Sequence, residues 1–168
     1  MGEAAYRAAA WTAYYQAVVA AAAALLGLLF VAVTFNVALV LDSAKHRARA
    51  REALGQLLVL VILGALVLIP DQTRQVLGTE LLAYGAIVAG ITYRLQSNTV
   101  RRLPESERSA WLLRDMVYNV GTVAIAVAGI GLLSQRLGGL YWLVPTVFIF
   151  FTWSSLNAWS LLVVERRE

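Results

Sequence analysis

Cysteine is absent from this sequence, and histidine and lysine occur once each. Without cysteine the chain can form no disulfide and offers no thiolate ligand to a metal ion. His46 alone cannot supply the two imidazoles of a bis-histidine haem. Lys45 lies in a polar loop, so no lysine stands in an apolar segment where it could form a retinal-type Schiff base. The sequence therefore predicts no cofactor and no metal site.

The motifs of the common enzyme classes are also absent. The chain has no phosphate-binding GxxxxGK loop, no nucleophile with a base at useful spacing, and no pair of carboxylates that would face each other in a membrane. The potassium-filter sequence TVGYG does not occur either. We therefore expect a protein that is not an enzyme.

Charge is scarce as well. Charged residues are 14% of the chain, 60% are hydrophobic and the mean hydropathy is +0.70, whereas about a quarter of the residues of a soluble domain are charged. The predicted fold class is all-α, a polytopic transmembrane helix bundle that forms a single integral membrane domain over residues 1–168. Apolar segments long enough to span a bilayer, some with flanking residues added, lie at 14–41, 50–69, 77–95, 111–133 and 141–164.

Turn residues separate these five segments. Pro70, Asp71 and Gln72 follow the second segment, and Gly138 with Gly139 precedes the fifth. Both connections are short, so the second and third segments, and the fourth and fifth, are each expected to form an antiparallel hairpin. Pro104 followed by Glu105 predicts the start of the fourth helix.

The 14 basic residues are distributed unevenly. Eleven lie in the first loop, in or near the third loop and at the C-terminus, whereas only Arg7, Arg74 and Arg136 lie elsewhere. By the positive-inside rule, this bias predicts a plasma (inner) membrane protein with its N-terminus outside and its C-terminus in the cytoplasm. The basic loops are expected to contact anionic lipid head groups, which explains the pI of 9.8 without a nucleic-acid partner.

The segment 111–133 carries two faces with different chemistry. At about 100° per residue, polar side chains share one face and small residues share the opposite face. The polar face consists of Asp115, Tyr118, Asn119 and Thr122, and the small face of Gly121, Ala124, Ala128 and Gly131. The first segment repeats small residues at Ala13, Ala17, Ala20, Ala24 and Gly27. Small residues let membrane helices approach closely, so we expect these two small faces to pack together; the alternative is that alanine is simply abundant near residue 20.

Amides occur at one depth on three segments. Asn36, Asn119 and Asn157 each lie six to eight residues from the predicted cytoplasmic end, or about 9–12 Å along the helix axis. The hydroxyl residues Tyr118, Thr122 and Ser154 extend this polar belt. Amides left in lipid would cost several kcal/mol each, so they should face the bundle interior or a wet cavity. Interhelical hydrogen bonds and a cytoplasm-facing path both fit the pattern.

Asp115 stands one turn nearer the cytoplasm, on the face of Asn119. A carboxylate at that place is either a cation or proton site or an interfacial charge that the head groups solvate. The spacing alone fits both interpretations.

Two functional hypotheses follow from the belt and the basic loops. The first is a small homo-oligomeric protein of channel or transport type, in which copies of the subunit surround a path lined by the belt. The alternative is a structural or regulatory protein without transport activity that binds another membrane protein or anionic lipid. Amides that face outward from the bundle would favour the alternative, and amides that share a cavity would favour the first hypothesis.

Overall fold

The computed structural model describes residues 2–42, 44–100 and 105–163, with the side chains of all of these except 39, 45, 98–100, 105–115, 117 and 160–163. The described part is all-α, as predicted. The helices are α1 (Thr12–Phe35), α2 (Val37–Asp42), α3 (Ala44–Val67), α4 (Arg74–Val100), α5 (Glu105–Ser134) and α6 (Leu143–Val163). Short 3₁₀ helices precede α1 at Glu3–Tyr6 and Ala8–Trp11 and precede α6 at Gly139–Trp142.

Helix length and composition make this chain a polytopic integral membrane protein. Helices long and apolar enough to cross a bilayer are, within the described residues, Ala8–Phe35, His46–Val67, Arg74–Ser97 and Gly139–Trp159. The described apolar part of α5, Tyr118–Ser134, is a fifth and shorter apolar helix. The helices therefore associate with a lipid bilayer as a bundle.

The first predicted segment, 14–41, is interrupted. Helix α1 ends at Phe35, Asn36 has a non-helical backbone with φ −110° and ψ 25°, and α2 resumes at Val37. The Thr34 hydroxyl donates to the Phe30 carbonyl at 2.8 Å, and the Asn36 amide donates to the Ala32 carbonyl at 2.9 Å. Such bonds from short polar side chains compete with the helix backbone, which is why the continuous segment predicted from hydropathy is wrong at Asn36.

Both predicted turns are present where the helices end. The second turn needs a left-handed backbone, since Gln135 and Leu137 have φ values of 54° and 66° and Gly138 has φ 83°. Glycine adopts this conformation without strain, and it reverses the chain between α5 and α6. The N-terminal segment covers this turn, because the Gly138 amide donates to the Tyr6 hydroxyl at 3.3 Å.

Helix neighbours do not follow the order of the chain. Helix α4 packs chiefly on α5, whereas α3 packs chiefly on α1 and α6. Helices α3 and α4, which the first short turn connects, touch each other much less. The main core lies between these pairs and includes Tyr15, Leu60, Leu63, Leu77, Leu81, Ile125, Leu132, Leu143 and Phe150.

Candidate functional site

The predicted polar belt divides between the inside and the outside of the bundle. Its buried members are Tyr118, Thr122, Ser154 and Asn157. Asn36 and Asn119 are exposed instead. The side chain of Asp115 lies outside the described residues. The three amides that are predicted to lie at one depth therefore do not point in one direction: Asn36 and Asn119 are exposed and Asn157 is buried.

Buried hydroxyls of the belt region connect helices. Ser154 of α6 donates to the Ala53 carbonyl of α3 at 3.1 Å. Thr146, which the sequence analysis did not single out, donates from α6 to the Gly121 carbonyl of α5 at 2.9 Å. Interhelical hydrogen bonds of this kind contribute about 0.6 kcal/mol each in membrane bundles. These contacts are structural in character.

The small faces of α1 and α5 do not meet. Gly121, Ala124, Ala128 and Gly131 are buried, but Phe150 of α6 covers Gly121, and the turn before α6 covers Gly131. The small residues of α1, Ala13, Ala17, Ala20, Ala24 and Gly27, are exposed. Helix α1 packs on α3 through larger side chains instead, including Tyr15, Val18 and Leu29. The predicted pairing of these two faces is therefore wrong within this chain.

Small residues do mediate a close crossing, between α4 and α5. A Cβ atom placed on Gly129 would lie 2.8 Å from the Gly78 carbonyl oxygen, and one placed on Gly85 would lie 3.4 Å from the Ala126 nitrogen. Gly78 and Gly85 are seven residues apart and so share one face of α4. Gly78 and Gly85 are the sequence signal of this crossing, and the predicted small faces did not include them.

The loose contact between α3 and α4 leaves a groove. Its volume is about 290 Å³, and Tyr118 of α5 contributes to its lining. The groove extends from Ala48 to Ile62 along α3, which is about 21 Å at the helical rise. The lining residues are Ala48, Arg51, Glu52, Gly55, Leu58, Val59 and Ile62 of α3, Tyr84, Ile87, Val88, Ile91, Thr92, Leu95 and Gln96 of α4, and Tyr118.

The two ends of the groove differ in chemistry. Toward the turn that connects α3 and α4, the Tyr84 hydroxyl donates to the Val59 carbonyl at 3.2 Å and bridges the two helices. At the opposite end lie Arg51, Glu52 and Gln96. The walls between these ends are mostly aliphatic. A long apolar groove with charged and amide groups at one end matches an amphiphile, which has a long apolar tail and a polar head.

Tyr118 joins the groove to the bundle interior. Its ring stacks on Phe150 of α6, with centroids 4.9 Å apart and an interplanar angle of 15°. Its hydroxyl interacts with the Thr92 side chain of α4. Among the predicted belt residues whose side chains the structure describes, Tyr118 alone lines the groove.

No protein-family model, curated protein or solved structure matches this chain. A function must therefore be inferred from the chemistry of its own residues.

The polar end contains a cation suited to bind an anion. Arg51 is exposed, and the described residues supply it with no ion-pair partner. Glu52 is half-buried and already interacts within the chain. A guanidinium binds phosphate oxygens in bidentate geometry. The arrangement can therefore hold the anionic head of an amphiphile at Arg51 and its tail along the aliphatic walls.

Proposed function

We propose that this protein binds an anionic membrane lipid in the groove between α3 and α4. The observation that carries the proposal is the combination, in one groove about 21 Å long, of mostly aliphatic walls with an arginine near one end, for which the described residues supply no ion-pair partner. This is the lipid-binding form of the structural or regulatory hypothesis. The outward position of Asn36 and Asn119 argues against a shared polar cavity within one subunit, so a channel would need these amides to meet between subunits.

Selectivity for one lipid over another would come from the polar end. In a bilayer some acyl chain always contacts the walls of the groove, and the chains of different lipids are similarly apolar. The apolar contacts alone therefore distinguish little between one lipid and another. The charge at Arg51 does distinguish, because an anionic surface attracts each basic residue by about 1 kcal/mol. A zwitterionic phospholipid such as phosphatidylcholine also has a phosphate, but its choline cation cancels the net charge, so it loses this attraction of about 1 kcal/mol, or about fivefold in affinity.

Lipid binding can be measured on the purified protein in detergent by native mass spectrometry. We expect the protein to retain phosphatidylglycerol, which is anionic, in preference to phosphatidylcholine. Arg51→Gln should remove about fivefold of that preference. Arg47→Gln is the matched control, because Arg47 is exposed one turn away, bonds to the Leu41 carbonyl and does not line the groove.

A variant that blocks the groove sterically provides a second test. Ile91 is exposed at the groove wall, so the larger side chain of Ile91→Trp should fill the groove and reduce retention of the lipid. Met116→Trp, at an equally exposed site on α5 outside the groove, should not. Equal retention of both lipids by the wild type, unchanged in Ile91→Trp, would refute the proposal.

We further propose five spans, with the N-terminus outside and the polar end of the groove facing the cytoplasm. The uneven distribution of basic residues supports this orientation, because Arg51 belongs to the basic first loop region. Single cysteines introduced at Gly2 and Glu168 of this cysteine-free chain should then label from opposite sides of the membrane. Labelling from the same side would contradict an odd number of spans.

A homo-oligomeric channel or transport protein is the second candidate. Asn119 favours it, because the described residues supply its exposed amide with no partner, and an amide in hydrocarbon is costly. A second copy of the chain could provide one. If wild-type proteoliposomes show ion flux and Asn119→Leu loses it while the oligomeric mass is unchanged, this candidate replaces the first. Flux no greater than that of empty liposomes eliminates it.

A further inference from the structure

A second groove runs along α3 on the side that faces α1. Helix α1 forms its far wall with Ala23, Leu26, Gly27 and Phe30, and α3 forms its near wall with Arg51, Leu54, Gly55 and Leu58. The groove is wide and open, with a volume of about 770 Å³. Gly27 faces open space, because a Cβ atom placed there would have no neighbour within 4 Å.

The two grooves share three residues. Arg51, Gly55 and Leu58 line both of them. These residues are four and three positions apart, so they form one stripe along α3, which separates the α1 side from the α4 side. This stripe forms a ridge along α3 with one groove on each side. We call the two grooves the α3/α4 arm and the α1/α3 arm.

At Gly55, one turn from Arg51, no side chain separates the two grooves. Gly55 has no side chain, and a Cβ atom placed there would have no neighbour within 4 Å. The next residue of the stripe toward the polar end is Arg51, which is exposed and is common to both arms. An anion at Arg51 could thus be connected to apolar chains in both arms without a side chain standing between them.

We propose that the ligand is a diacyl anionic phospholipid that straddles α3, with its phosphate at Arg51, one acyl chain in the α3/α4 groove and the other in the α1/α3 groove. This inference rests on the proposed function, since it takes binding in the α3/α4 groove as given and adds a second chain. Charge complementarity at Arg51 and the forked apolar surface below it select this occupant. A lipid with one chain would leave the α1/α3 arm empty.

The number of chains can be tested with two lipids that share a head group. Purified wild-type protein should retain diacyl phosphatidylglycerol roughly tenfold more tightly than lysophosphatidylglycerol, which has one chain; tenfold is 1.4 kcal/mol. Gly27→Leu fills only the α1/α3 arm, so it should lower retention of the diacyl lipid and leave the lysolipid within roughly twofold. Ala20→Leu is the control, since Ala20 is exposed on α1 but lies outside the groove.

The two proposals fail in different ways. If Gly27→Leu retains the diacyl lipid like the wild type while Ile91→Trp loses it, the second arm is not used and the two-chain inference is wrong, but lipid binding stands. If the wild type retains phosphatidylglycerol and phosphatidylcholine equally and neither variant changes this, the proposed function itself fails.

Crosslinking of the wild-type protein makes the inference independent of any variant. Diacyl phosphatidylglycerol with a photoreactive diazirine near the end of each of its two chains should label peptides from both arms, 23–30 of α1 and 84–91 of α4. A label confined to the α4 peptide would overturn the two-chain inference. A label on neither peptide would overturn the proposed function as well.

Discussion

Among the described residues, helix α4 packs mainly against α5 and more loosely against α3, and the two contacts differ in character. Toward α5, Gly78 and Gly85 lie close to the backbone of α5, and Gly129 of α5 lies too close to the Gly78 oxygen to admit even one methyl group. Toward α3, which is joined to α4 by a short turn, α4 leaves a groove about 21 Å long. Adjacent position in the chain therefore does not determine which membrane helices pack closely. Complementary surfaces determine it.

The physical reason lies in the residues on the two faces. Lipid tails are as apolar as leucine, so helix pairs gain stability in a bilayer by close van der Waals contact rather than by burying apolar surface. Gly78, Gly85 and Gly129 allow that contact between α4 and α5. On the other face of α4, Ile87 and Ile91 project toward a part of α3 where Gly55 supplies no matching side chain.

The largest effect is expected at the tight crossing. Gly129→Leu would force a side chain into a site where the first carbon already lies 2.8 Å from the Gly78 oxygen. We expect a loss of about 3 kcal/mol in the free energy of unfolding in detergent. Gly90→Leu is the control on α4, because Gly90 has open space around it. If both variants melt like the wild type, the contrast between the two faces of α4 is wrong.

The second prediction compares the two small-residue faces. Ala128 of α5 is fully buried, so Ala128→Leu should overpack the core and cost about 2 kcal/mol. Ala20 of α1 is exposed, so Ala20→Leu should change stability by less than about 0.5 kcal/mol. Thermal unfolding in detergent measures both. Strong destabilisation by Ala20→Leu would instead indicate that α1 packs closely against another helix through its small residues.

The smallest effect concerns polar contacts between helices. Thr146→Val keeps the shape of the side chain but removes the bond to the Gly121 carbonyl, and we expect a loss of about 0.6 kcal/mol. Thr79→Val is a matched control, because among the described residues the exposed Thr79 hydroxyl donates to the Val76 carbonyl of its own helix and not to another helix. An equal loss in the two variants would show that the bond between α5 and α6 adds no stability beyond a local one.

Much of the local structure could be predicted from the sequence. Both turns agree with the residues that mark them. The predicted start of the fourth helix at Pro104 lies outside the described residues and stays a prediction. The break at Asn36 was missed, because hydropathy averages over a window and does not register a single amide that bonds to its own helix. The groove was not predicted, and of the predicted site residues with described side chains only Tyr118 lines it.

The sequence by itself determined that this chain is helical, apolar enough to enter a bilayer, and divided into segments with recognisable faces. Only the tertiary structure decided where those faces point. Depth along a helix follows from counting residues, which is why Asn36, Asn119 and Asn157 could be placed at one level. Direction does not follow, because in a membrane apolar residues are favourable both inside the bundle and against lipid. Two of the amides therefore face outward while Asn157 is buried, and the groove depends on helix pairs that the hydrophobic pattern leaves open.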